Sequence, residues 1–93
     1  MKSEDNSWRI EITKQPVKIL RRLPRNISKR LDKAILALAD DPQPIGSKKL
    51  TDYHNLYRIH VGDWRIIYAI EDEKLIILII RIAPRGNVYR DLR

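Results

Sequence analysis

The sequence predicts an α+β sandwich: two N-terminal helices on one face of a mostly antiparallel four-stranded sheet, ordered β-α-α-β-β-β. Three observations carry this. Residues 56–68 alternate apolar and polar side chains on both sides of Gly62-Asp63, a pair suited to a tight hairpin turn because glycine accepts φ > 0. Residues 14–39 place apolar side chains at helical rather than alternating spacing. Leu75 to Ile80 is apolar on both faces, as an interior strand requires.

In chain order, residues 1–6 are polar and form a tail, while Trp8, Ile10 and Ile12 alternate with Arg9, Glu11 and Thr13 as a half-buried first strand. Thr13 stands where it can cap a helix whose first turn holds Pro16, with Val17, Leu20 and Leu23 as its stripe. Pro24 interrupts, and Asn26 offers the cap of a second helix that runs to about Ala39, with Ile27, Leu31, Ala34, Ile35 and Leu38 on one side. Asp40-Asp41-Pro42 ends it, and residues 42–55 are expected to be mostly loop.

A two-residue turn at Gly62-Asp63 pairs Val61 with Trp64, His60 with Arg65, Ile59 with Ile66, Arg58 with Ile67 and Tyr57 with Tyr68. Tyr57, Ile59, Val61, Trp64, Ile66 and Tyr68 then share an apolar face that can seat on helices. Arg58, His60 and Arg65 point the other way. Residues 71–74 turn the chain into the last strand, where simple pairing would drive Arg81 into the core, so a bulge or an early strand end is expected. Pro84 and Gly86 bar a regular strand beyond that point.

The 93 residues suffice for one domain, residues 1–93, with a single modest core. A formal net charge of +7 and a pI near 10.0 predict attraction to polyanions. Without cysteine there is neither a disulfide nor thiolate chemistry. The polar N-terminus carries no secretory signal and the longest apolar run is far shorter than the ~20 residues of a membrane span, so a cytoplasmic protein without membrane contact is expected.

Phosphate loops, HExxH motifs and paired carboxylates are missing, and two histidines argue against a metal centre; neither metal nor cofactor is expected. What the sequence offers is cations and tyrosines, a set suited to a phosphodiester. Between residues 14 and 33 stand Lys14, Lys18, Arg21, Arg22, Arg25, Lys29, Arg30 and Lys33 against a lone Asp32. That is either a solvated helix face or an anion-docking surface. Tyr57, Trp64 and Tyr68 are expected in the core rather than as platforms for bases.

The hairpin Tyr57-Arg58-Ile59-His60-Val61-Gly62-Asp63-Trp64-Arg65-Ile66-Ile67-Tyr68, followed by an apolar strand and Arg85-Gly86-Asn87-Val88-Tyr89, resembles the RelE/ParE toxin family. Leu20-Arg21-Arg22-Leu23-Pro24 and Gly46-Ser47-Lys48-Lys49-Leu50 extend the resemblance to residues 8–89. Its RelE branch, the mRNA interferases, cuts messenger RNA in the ribosomal A site without metal; its ParE branch poisons DNA gyrase. On the RelE pattern Arg65 matches the hairpin arginine, Arg85 the arginine after the last strand and Tyr89 the C-terminal tyrosine. Arg58 and His60 stand where the best-known member has lysines.

The resemblance thus implies a ribosome-dependent endoribonuclease with Arg65, Arg85, Tyr89 and His60 as catalytic residues and Arg58, Lys48 and Lys49 as RNA-binding ones. Its implied partners are the ribosome with its 16S rRNA, the message, and a RelB-like antitoxin joined in a toxin–antitoxin heterotetramer. Chemically, such cleavage must deprotonate the 2′-OH, stabilise a phosphorane-like dianion and protonate the 5′-oxygen. Tyr89, its phenol made more acidic by arginines, and His60 are both left as candidates for the base. A gyrase inhibitor of the ParE kind and a non-toxic RNA-binding module are the competing functions, separated by supercoiling and cleavage assays.

Overall fold

A computed structural model describes residues 8–86, and its elements follow the apolar pattern. In order they are β1 (Arg9–Ile12), α1 (Lys14–Arg22), α2 (Arg25–Ala37), β2 (Lys48–Lys49), β3 (Leu56–Val61), β4 (Trp64–Glu71) and β5 (Ile76–Pro84). The sheet has five strands in the order β1-β5-β4-β3-β2, with β1 parallel to β5 and the other pairs antiparallel. The expected four-stranded sheet therefore gains a strand. Lys48–Lys49 falls in the stretch expected to be loop, because two lysines give no apolar alternation to mark a strand.

The helices cover one face. Leu31, Ile35 and Leu38 of α2 and its C-terminal turn are buried against Ile59, Ile66, Tyr68, Ile70, Ile77, Ile79 and Ile82, and Ile19, Leu20 and Leu23 of the α1 region pack beside them. The α1 stripe runs from the buried Pro16 through Ile19, Leu20 and Leu23 rather than from Val17, since that series keeps the i, i+3, i+4, i+7 spacing. Each fully buried isoleucine contributes about 1.5–3 kcal/mol through removal of its apolar surface from water.

Two helix caps differ from expectation. Thr13 is the N-cap of α1, but its hydroxyl caps nothing in the helix. It donates instead to the carbonyls of Ile79 (2.9 Å) and Ile80 (3.1 Å). Asn26 lies inside α2, whose N-cap is Pro24; the Pro24 carbonyl accepts from the N–H groups of Ile27 and Ser28, each at 3.0 Å. The last helical residue of α2 is Ala37 rather than Ala39, the chain tapering off through turns as far as Asp40.

The β4–β5 ladder shifts register between Ile67 and Tyr68: Ile67 faces Arg81, and Tyr68 faces Ile79. Ile80 is the extra, bulged residue. This is the expected bulge, and it returns Ile82 to the core while sending Arg81 to the face the helices leave open. β5 continues to Pro84, one of the two residues expected to bar a regular strand. The N–H of Arg85 donates to Asp63 O on the β4 side (2.8 Å), so by alternation the Pro84 nitrogen faces away from β4, where β1 has already ended and no donor is required. Gln15 fills part of that edge, its side-chain amide donating to Ile82 O (2.8 Å) and accepting from Ile82 N–H (2.9 Å). No helix among the described residues is long and apolar enough to cross a membrane.

Candidate phosphate-binding face of the sheet

The hairpin has the register expected from its turn: Val61 opposite Trp64, His60 opposite Arg65, Ile59 opposite Ile66, Arg58 opposite Ile67 and Tyr57 opposite Tyr68. Gly62 at φ 62° supplies the left-handed turn residue, and a side chain there would also meet the Arg30 guanidinium at 3.0 Å. With β2 and β5 added, the open face carries two transverse rows. One runs His60, Arg65, Ala83; the other runs Lys48, Arg58, Ile67, Arg81. Residues adjacent in a row sit on strands about 4.8 Å apart, and the rows are about 7 Å apart along the strands. Every cation in them is thus within a long side chain's reach of His60 or its row.

Apolar ground lies beneath the charges. Ile67 and Ala83 are buried on this face with Leu50 and Leu56 packed against them. Ile67 is flanked by Arg58 and Arg81, whose stems can cover it while their charged ends project. Arg58 is half-buried, and its Nε is fully shielded with no acceptor among the described residues. Arg65 donates from Nη1 to the carbonyl of Trp64 at 3.3 Å, leaving the rest of its fork to other acceptors.

His60 is exposed and reports on the field around it. Desolvation first, then the positive charges of Arg65, Arg58, Lys48 and Arg85, hold its pKa below the ordinary 6.5. At neutral pH the imidazole is therefore uncharged and able to accept a proton. Arg85 belongs to this field although β5 has ended, because its backbone is fastened to Asp63 at the hairpin turn.

Of the residues singled out in the sequence, Lys48, Arg58, His60, Arg65 and Arg85 come together. Lys49 does not: it pairs with Tyr57, so its side chain takes the opposite face from Lys48, and it lines a separate hollow with His54, Asn55 and Glu71. Tyr89 lies outside the described residues, as does the N-terminal tail. Tyr57 and Tyr68 belong to the helix-side core, stacked with ring centroids 5.8 Å apart. The Tyr68 hydroxyl donates to Pro42 O at 2.6 Å, and burial pushes its pKa up to about 12. It is a tether for the loop after α2. Arg81 is the member sequence reasoning missed; only the place of the bulge reveals its face. Among the described residues no cluster of three His, Cys, Asp or Glu side chains is arranged to hold a metal ion.

Comparison with known proteins agrees with this architecture. Residues 10–89 match the family described as the ParE toxin of the type II toxin–antitoxin system parDE. A toxin RelE of Mycobacterium tuberculosis is 32% identical over 89 residues, covering 95% of this chain and 92% of its own length. Toxin RelE3 of Methanocaldococcus jannaschii is 33% identical over 78 residues, covering 78% of this chain and 85% of its own. The RelE–RelB complex of Pyrococcus horikoshii superposes with a TM-score of 0.77 at 32% identity, over 88% of this chain and 99% of that one. With its hairpin, its helix-covered sheet and nearly all of its length accounted for in this way, the chain belongs to the RelE/ParE superfamily of toxins from toxin–antitoxin systems.

Proposed function

We propose that this toxin is a ribosome-dependent endoribonuclease that cuts messenger RNA in the A site through attack of the 2′-OH on the adjacent phosphorus. The observation that carries the proposal is the grouping of Lys48, Arg58, Arg65 and Arg85 about His60 on a sheet face that no described helix covers. Forked guanidinium groups suit the non-bridging oxygens of a phosphodiester.

In this mechanism Arg58 and Arg65 hold the phosphate and stabilise the dianion as charge builds on it. His60, its pKa held below the ordinary value, takes the 2′-OH proton; Tyr89 is the alternative base. The 2′-oxygen bonds to phosphorus, the bond to the 5′-oxygen breaks, and the products are a 2′,3′-cyclic phosphate and a 5′-hydroxyl. Arg85 stabilises charge on the departing oxygen, which gains a proton from solvent or from the protonated base. Lys48 contributes field, and Lys49 contributes attraction at longer range. A RelB-like antitoxin is the proposed cognate partner, since the relative from P. horikoshii was solved as a RelE–RelB complex.

Primer extension on programmed ribosomes tests the proposal: the message is cut in the A site by the wild-type protein, and an intact message defeats the enzymatic reading. The matched family description favours one second reading, a ParE-like inhibitor of DNA gyrase. In that case the protein blocks supercoiling by purified gyrase while leaving RNA whole.

A further inference from the structure

The densest run of uncompensated charge in the sequence lies on the helices, away from the proposed catalytic face. Lys14, Lys18, Arg21, Arg22, Arg25, Lys29, Arg30 and Lys33 stand against Asp32 alone, so residues 14–33 hold a balance of +7, the whole formal charge of the chain. Of the 19 lysines and arginines and 12 acids in total, eleven of each sign remain elsewhere and cancel. All eight cations are exposed, on the side of the helical layer facing away from the sheet or at its rim, where Arg30 reaches the hairpin turn.

Helix stability does not explain this arrangement. Neither helix has an acidic residue in its first turn; Lys14 and Arg25 stand there instead, where the helix dipole disfavours positive charge. Lys14 and Lys18, Lys18 and Arg22, Arg25 and Lys29, and Lys29 and Lys33 are like-charge pairs one helical turn apart. Among the described residues none of the eight makes an ion pair. Only Arg21 and Arg22, in the last turn of α1, sit where the dipole favours them.

We infer that the outer face of α1 and α2 is a second nucleic-acid surface, one that docks on the phosphate backbone of folded, base-paired RNA while the sheet face holds the strand to be cut. This rests on the proposed ribosome-dependent reading for its choice of RNA as the polyanion. A protein partner fits the face less well, because stable protein interfaces need an apolar centre. The exposed large apolar residues are Ile12, Leu36, Ile45 and Leu75; of these only Leu36 lies on either helix, at the end of α2 beyond the cationic run, so the face has no apolar centre. A phosphate backbone needs only cations, and gains affinity from the counterions they displace. The two faces would let the toxin grip structured RNA behind it and present its catalytic groups forward.

The test is the salt dependence of binding to an RNA duplex of about 16 base pairs, long enough to cover a small domain. The variant carries Lys18→Gln, Arg22→Gln, Arg25→Gln and Lys29→Gln in the full-length chain. Its plot of log affinity against log salt should be shallower than wild type by about 3 to 4, near 0.9 for each lost phosphate contact, with affinity at least ~10-fold lower at 0.1 M salt. Lys18→Arg with Lys29→Arg keeps the charge and should keep the wild-type slope, which separates charge from folding. Arg65→Ala should alter the slope by no more than about one contact. An unchanged slope in the quadruple variant overturns the proposal, as does loss of binding to an acidic protein or peptide with duplex binding intact. An intact message on programmed ribosomes with the slope difference preserved would sink the cleavage reading alone.

Discussion

The molecule has two cationic faces built on different principles. On the sheet, a few cations from separate strands are gathered around one titratable residue, and their combined positive field is felt there. On the helices, residues 14–33 concentrate a balance of +7 along consecutive turns, with Asp32 the one acid among them. Placement decides what the first can do, because a guanidinium an ångström out of line loses its hold on a transition state. Density decides what the second can do, because counterion release sums over contacts with little regard for their exact geometry. On the proposed reading, net charge alone points to the side of the protein away from the chemistry.

The largest expected effect lies on the sheet. Arg65→Ala should lower the cleavage rate on programmed ribosomes by about 10²–10³, the usual consequence of removing one donor to a developing oxyanion, with little change in melting temperature. Comparable cleavage by the variant would break the distinction, since the face would then be acting by charge density too.

Next comes the contact by which the helical layer reaches the far strand. Gln15→Ala deprives the N–H and carbonyl of Ile82 of partners at the unpaired edge of β5, which should cost about 1–3 kcal/mol in urea unfolding and speed hydrogen exchange at Ile82. Gln15→Glu keeps the acceptor and loses the donor, so it should fall between the two. A neutral Gln15→Ala would mean that β5 holds its course after the bulge unaided.

A smaller effect, of opposite sign, belongs to the helices. Arg25→Glu or Lys14→Glu should raise stability by about 0.3–1 kcal/mol each at low salt by matching the helix dipole. Destabilisation by either would show that these cations serve the fold. Smallest is a shift in titration. The NMR midpoint of His60 should lie below 6.5 and rise toward it in Arg65→Ala. With His60 as base, cleavage should be flat near pH 7 and fall as acid protonates the imidazole through that lowered midpoint. A midpoint above 6.5 would mean that an anion, not a ring of cations, faces the imidazole.

Much of this architecture could be read in the residues because local signals agreed. Gly62-Asp63 between alternating runs set the hairpin register to the residue, and with it the faces of Arg58, His60 and Arg65. That a bulge or an early strand end was needed was visible in Arg81, which the core cannot accept, and the bulge is what the ladder shows. Its position was not, because Thr13 and Gln15 hold that stretch of β5 from more than sixty residues away, |i−j| being 66 and 67. For the same reason Arg81 was missed as a member of the open face. Lys48 and Lys49 looked equivalent until β2 was seen to be a strand, whose alternation turns them to opposite sides. The α2 cap misled because Pro24 supplies a backbone carbonyl where Asn26 offered a side chain.

Single-turnover cleavage of an A-site message, followed against toxin concentration for wild type, Arg65→Ala and the quadruple helix variant, tests the division between the faces most directly. The account predicts that Arg65→Ala lowers the rate at saturation, whereas the helix variant reaches the wild-type rate but only at higher concentration. It is contradicted if the helix variant is slow at saturation, or if Arg65→Ala cuts as fast as the wild type.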